Sequence, residues 1–306
     1  MSYTISAPPH KKMDINVDKI MWAKIFVLVP VSIISIYFFG IPALWIIIAS
    51  VLTAVIAEAS IQKIFDKKST IKDGNAVLIG LMLALLIPPE APIWIPIVGA
   101  AFAIIIGKHA FGGLGSYLFN PVLASWIFLM IAWTAHMTPL SFPYTEQFSD
   151  LLLETGAGFL VDVSPIALIG GLYLIYRRYV EWRIPVAFFA TTLLLAFVAG
   201  ENISFVITGV FIFGVLFLAT DSSTSPVTKD GRLYYGILCG LLTFIYGYFS
   251  VNYAYATIYG IFLANCVTAF VDKSTFPKEY GSPSFIENIY NKLKQAIGRR
   301  GSTSDE

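Results

Sequence analysis

An all-α polytopic membrane protein of about ten transmembrane helices is the expected architecture, on three grounds. Hydrophobic residues make up 57% of the 306 and charged residues only 13%, so most of the surface must face something other than water. The apolar residues come in long runs, and a single chain carries such runs across a bilayer as helices. The charged residues gather in the short connections between the runs.

In chain order the apolar runs cover about 20–38, 43–61, 75–87, 93–107, 121–135, 163–176, 184–199, 203–219, 233–249 and 253–271. The first two and the last are long enough to cross unaided, which takes about 20 residues. The run at 75–87 stops at Pro88 and Pro89. With 93–107 it forms either two short tilted spans or a re-entrant hairpin, and the topology beyond is the same for both. The run from 121 follows Asn120 and Pro121, a pair suited to starting a helix. Residues 1–19 are polar and no small-residue cleavage site follows the first run, so a secretory leader is not expected.

The charges test the count of crossings. With a cytoplasmic N-terminus, the inside segments are 1–19, 62–74, 108–120, 177–183, 220–232 and 272–306. Counting Lys24 as snorkelling back from the first helix, all 20 Lys and Arg residues lie on that side. The outside connections hold none of them, although they carry Glu90, Glu146, Asp150, Glu154, Asp162 and Glu201. Such a partition is what the positive-inside rule demands. The expected organisation is a cytoplasmic segment 1–19, a transmembrane domain 20–272 with a large outside loop at 136–162, and a cytoplasmic tail 273–306. Both termini are then cytoplasmic. The net charge of +1 is sorted by side and forms no basic patch, so the partner implied is the lipid bilayer and not nucleic acid.

A division into five plus five spans would relate the halves by inversion, an arrangement that places sites at interrupted helices between them. The internal similarity is faint, for instance GNAVLIGLMLAL at 74–85 against SPIALIGGLYLI at 164–175.

Candidate sites are few. The stretch KHAFGGLGSYLFNP, Lys108–Pro121, interrupts two apolar runs. Gly112, Gly113 and Gly115 permit backbone shapes that a side chain would block, so the loop is either a tight connector or a site. KDGNAVLIG, with Asp73 and Gly74, and TDSSTSPVTKDGR, with Thr220, Asp221 and Ser225, both set Asp and small polar residues ahead of a Gly-containing helix. Those residues either cap their own helix or expose its amides to an anion. Glu58 is an ionisable group inside an apolar run, read either as an ion-path residue or as an interfacial carboxylate reaching Lys63. His10, His109 and His136 all fall outside the spans, so a bis-histidine haem in the bilayer is not expected. Cys239 and Cys266 each lie about six residues from the inner face and serve as packing or as half of a shared cluster. No metal site and no catalytic residue set is evident.

Together, DGNAVLIGLMLALLIPP, KHAFGGLGSYLFNP, SPIALIGGLYLIYRRYVEWRIPV and ATDSSTSPVTKDGRLYYG resemble, in that order, one family. It comprises the D subunit of the Rnf ion-translocating electron-transport complex and the homologous B subunit of the sodium-translocating NADH:quinone oxidoreductase. The resemblance runs from about 20 to 272 and is closer to the Rnf protein, because a long N-terminal extension is lacking. It implies a membrane flavoprotein subunit that passes electrons within a complex coupled to Na+ or H+ movement. Such a chain sits in a bacterial or archaeal cytoplasmic membrane, and soluble partner subunits oxidise ferredoxin or NADH. Other membrane subunits carry further centres, and no catalysis is expected of the isolated chain. The basic tail, with Lys292, Lys294, Arg299 and Arg300, is either a docking segment or simply solvated.

The resemblance also implies an FMN joined through its phosphate to the last Thr of a Ser/Thr-Gly-Ala-Thr motif in the outer loop. Here that loop reads Thr155, Gly156, Ala157, Gly158, and glycine has no hydroxyl to esterify. The site is then empty, or holds FMN without a covalent bond, or uses Thr155 in a shifted register. A riboflavin elsewhere in the chain is a further expectation. The competing class is a flavin-free solute transporter, channel or scaffold of the same architecture.

Overall fold

The computed structural model describes residues 16–66, 70–139, 158–163, 166–201, 206, 208–249 and 253–276. Ten helical segments match the ten apolar runs: α1 (Val17–Phe39), α2 (Ile41–Ile64), α3 (Asn75–Leu85), α4 (Trp94–Phe102, continued in π form as Ala103–His109) and α5 (Pro121–Ala132). The second five are α6 (Ile166–Tyr176), α7 (Arg183–Ala199), α8 (Gly209–Phe213, continued in π form as Gly214–Leu218), α9 (Lys229–Phe249) and α10 (Tyr253–Thr275). No strand occurs among the described residues.

Helix length separates two roles. Four segments, α1, α2, 94–111 and α10, are long and apolar enough to cross a bilayer. At ~1.5 Å per residue the 23 residues of α1 reach about 34 Å, which matches a hydrocarbon core of about 30 Å. Their outward faces carry exposed Phe26, Ile33, Leu52 and Ile56, side chains suited to lipid. By contrast α3 spans 11 residues, about 16 Å, and apart from Val77 all of it is buried. Likewise α8, with its π continuation, is buried along its whole length. A helix apolar on every side belongs in the interior.

These two helices are the third of each five and occupy equivalent buried places. α2 packs along both α3 and α4, while α7 packs along α9, the fourth helix of the second half. A five-plus-five inversion therefore pairs α3 with α8. The faint similarity of 74–85 to 164–175 pairs α3 with α6, so it does not report this relation. Close approach depends on small residues: a Cβ on Gly80 would lie 2.9 Å from Val51 Cα, and Ser50 Oγ donates to Gly80 O at 2.6 Å.

The chain between helices at membrane depth is irregular but enclosed. Leu86 and Ile87 after α3 are buried, as are Phe159–Asp162 ahead of α6. Irregular backbone is tolerated there because protein and not lipid surrounds it. Asp162 Oδ1 accepts from Val210 N at 3.0 Å, and Thr208 Oγ1 from Phe211 N at 3.3 Å, so the start of α8 is capped. Trp94, Trp133 and His136 cluster edge to face at the opposite end from α3's start, with centroids 5.0 and 5.6 Å apart, an interfacial aromatic group.

Candidate functional site

The three loop motifs converge at one end of the bundle, the end expected to be inside. Asn120 caps α5, its Oδ1 accepting from Val122 N at 2.9 Å with Pro121 in the first turn, as its sequence predicts. Three residues earlier, Tyr117 is buried and its hydroxyl donates to Asp221 Oδ2 at 3.3 Å. The same hydroxyl meets Ser223 and Asn75. Asn75, the first residue of α3, is buried and turns its Nδ2 toward Met21 Sδ of α1 at 3.8 Å. Asp73 Oδ1 accepts from Asn75 N at 2.8 Å, and Gly74 sits between them at φ 77, against the Trp22 ring. In this way residues 73–75, 115–120 and 220–225 are fastened to one another and to α1.

Residues 114–118 and 222–225 line an open cavity of about 540 Å³. Its walls include Met21, Gly115, Tyr117, Thr224, Ser225 and Asp272. That size falls within the usual range for a small-ligand site, roughly 300–1,000 Å³. Thr224 Oγ1 and Asn75 Oδ1 are buried without a hydrogen-bond partner, so polar capacity is left over at this end. Thr220 lies one step away and spends its hydroxyl on Leu216 O at 2.6 Å. Gly112 and Gly113, at φ 109 and 101, shape the turn and do not line the cavity.

Lys24 lies near this site and is only 2% exposed. It does not snorkel to the interface, as its position in the sequence suggested; packing of α1 against α3 and α6 encloses it. It acts electrostatically on Asp221. Burial pushes the Asp221 carboxyl above its ordinary value, and the Lys24 charge opposes that rise. Burial likewise raises Tyr117 well above the normal phenol range, with Asp221 adding to it.

A second cluster stands beside the first. Glu58 of α2 is 1% exposed and accepts from Lys108 Nζ at 2.8 and 2.9 Å. His109 Nε2 lies 3.0 Å from its other oxygen. Gln62 Nε2 at 2.6 Å and Thr70 Oγ1 at 3.2 Å complete the shell. Lys108 and His109 belong to the π-form end of α4 and not to the loop expected there. The wider π turn carries α4 past 107 and sets both residues on Glu58, a common use of such segments. Glu58 therefore does not pair with Lys63, which is exposed.

The match to known proteins agrees with this geometry. Residues 4–281 fit the NQR2, RnfD, RnfE family. The chain belongs to that family. It is 52% identical over 281 residues to the D subunit of an ion-translocating oxidoreductase complex from Methanosarcina acetivorans, covering 92% of this chain and 98% of that one. Over 306 residues it is 36% identical to the D subunit of a Na+-translocating ferredoxin:NAD+ oxidoreductase complex from Acetobacterium woodii, covering 92% and 96%. Identity is 33% over 320 residues to the D subunit of a proton-translocating ferredoxin:NAD+ oxidoreductase complex from Clostridium ljungdahlii, again covering 92% and 96%.

Membership in the NQR2, RnfD, RnfE family directs attention to the outer loop. Thr155, Gly156 and Ala157 lie outside the described residues, as do His10, the tail lysines and the arginines at 299 and 300. Gly158 is described, buried, at φ 87. L side chains rarely adopt that conformation, so glycine at 158 suits this backbone and offers no ester oxygen. Cys239 is buried while Cys266 is exposed on α10, its Sγ donating to Phe262 O. No group of His, Cys, Asp and Glu among the described residues is placed to hold a metal ion.

Sequence reading missed Lys24, Asn75, Tyr117, Thr224 and the pairing of Glu58 with Lys108 and His109. The available signal was the lone charge of Lys24 inside an apolar run, since an ionisable residue in a span marks a site by default.

Proposed function

We propose that this chain is the RnfD-type membrane subunit of a ferredoxin- or NADH-oxidising, ion-translocating complex in a bacterial or archaeal cytoplasmic membrane, and that its inner cavity holds a flavin without a covalent bond. Donor oxidation belongs to peripheral subunits, other membrane subunits carry iron–sulfur and second flavin centres, and the coupled ion is Na+ or H+. The observation that carries the reading is the meeting of residues 114–118 and 222–225 on one cavity of about 540 Å³, with residues 73–75 tied to Tyr117 behind its wall.

The donor set suits a flavin lacking phosphate better than FMN. The cavity wall bears Asp272, Asp221 lies close by, and among the described residues no Lys or Arg lines it. A phosphate dianion there would be opposed by both carboxyl groups. The hydroxyls of Ser222, Ser223, Thr224 and Ser225 fit a polyhydroxylated chain, and the unpartnered Thr224 Oγ1 leaves room for a further hydrogen bond. Riboflavin is therefore the preferred occupant. An FMN in this chain would belong to the outer loop, held without the ester that Gly158 cannot form.

When bound, a flavin supplies one- and two-electron transfer. The chain's own contribution is placement and charge. Tyr117, held from behind by Asn75, fixes the polar edge of the site, and Met21 and Leu118 form its apolar side. Lys24 offsets negative charge near the cavity, and Asp221 with its raised proton affinity holds a proton close to it.

Purified chain would be compared native and denatured. Acid extraction of native protein should release riboflavin, and denaturing gels should show no fluorescent band. A fluorescent band would move the flavin to Thr155, and a flavin-free native sample would leave the transporter or scaffold reading.

A further inference from the structure

The surroundings of Glu58 discriminate between the two cations that an ion path here would carry. A hard cation such as Na+ needs oxygen ligands with free lone pairs. Both Glu58 oxygens already lie within 2.9 Å of the Lys108 ammonium. Gln62 and Thr70 donate to Oε1 at 2.6 and 3.2 Å, and among the described residues no second carboxylate bonds to the cluster. A Na+ seated on Glu58 would face the Lys108 charge across one carboxyl group, in a setting that screens poorly.

His109 offers different chemistry. A carboxylate only accepts, so Nε2, 3.0 Å from Glu58 Oε2, carries the hydrogen of that bond. The neutral ring then keeps its lone pair on Nδ1, which is buried and has no hydrogen-bond partner. His109 also forms part of the wall of a cavity of about 310 Å³, with Ile61, Phe65, Ile105 and Ala110. The charged groups of the cluster are Glu58 on α2, which bonds the ring, and Lys108 on α4, with Asp73 ahead of α3 acting on both of these. A proton on the imidazole is held by the Glu58 carboxylate that the ring already bonds.

We propose that the Glu58–Lys108–His109 cluster is a proton-binding site, loaded at His109 Nδ1, that does not bind Na+. Loading converts a neutral imidazole to imidazolium; no other bond breaks and no electron moves. This assignment is independent of any flavin in the neighbouring cavity.

The test is nitrogen NMR of the full-length chain in lipid nanodiscs, with labelled histidine, titrated in Na+ and in choline at equal ionic strength. His109→Asn identifies the His109 signal. The expected result is the Nε2–H tautomer at alkaline pH, a one-proton titration, and the same midpoint in both salts. Glu58→Gln should lower proton affinity about tenfold or more, the usual effect of removing an adjacent carboxylate. A midpoint that moves to lower pH specifically in Na+ would overturn the proposal, as would a His109 signal that does not titrate. Should Glu58→Gln not accumulate, the salt comparison on the unmutated chain decides alone.

Discussion

Two lysines are buried at the inner end of this bundle, each associated with a carboxyl group, and the protein treats them in opposite ways. Lys108 is bonded directly to Glu58, whose oxygens are further occupied by Gln62, Thr70 and His109. Lys24 makes no hydrogen bond to Asp221 or to any other described residue, while Asp221 is engaged by Tyr117 and by the backbone of Ser222 and Ser223. In the first arrangement the charges are bonded to each other, and only His109 Nδ1 is left without a partner. In the second the lysine acts on its carboxyl group through space, near a cavity that has an unpartnered hydroxyl at Thr224. Burial alone thus says little about a charged residue; the state of its partners says what it is for.

The largest expected effect tests the bonded pair. Lys108→Met strands the Glu58 carboxylate and should cost about 3–5 kcal/mol, read as loss of monodisperse protein in size-exclusion chromatography after graded heating. Adding Glu58→Gln should recover most of the loss, and a stable single variant would break the contrast. Lys24→Met should cost less, because Asp221 can take up a proton instead. The sign follows from burial: the folded Asp221 carboxyl binds its proton more tightly than the unfolded one, so its contribution is fully present below the unfolded value, about 3.9, and is lost as pH rises through the folded value. Without Lys24 that loss extends to higher pH. Thermal midpoints of variant and wild type should therefore converge in acid and separate toward neutral pH.

Thr224→Val sharpens the cavity side of the comparison. It removes an unpartnered hydroxyl, so stability should hold, while extractable flavin falls by a factor of about five to ten, the value of one hydrogen bond of roughly 1 kcal/mol. The last test belongs to the far side of the membrane, where no change in flavin attachment is expected. Gly158→Thr restores a hydroxyl but sits at φ 87, so it should cost about 1–2 kcal/mol and yield no covalent flavin band on a denaturing gel.

The ten runs were legible because hydrophobicity is a local property, and helices answer to it directly. Asn120 and Pro121 were legible as a helix start for the same reason: an N-cap bonds two residues away. The roles of α3 and α8 were not, since a short apolar run reads alike whether it crosses a thin span or lies wrapped in other helices. Lys24 departs from the snorkelling expected of it because only its neighbours, not its own helix, decide whether it faces lipid or protein.

What the sequence by itself determined is the solvent, the number of apolar segments, the sorting of charge and the family. What only the tertiary structure decided is which residues meet. Glu58 and Lys108 are 50 positions apart, and Tyr117 and Asp221 are 104 apart. Their contacts exist because α3 and α8 are too short to span and are drawn inside, which brings loops from both halves to one end of the bundle. Hydrophobic burial chose that packing, and the polar groups it carried inward had to find one another or leave a place for a ligand.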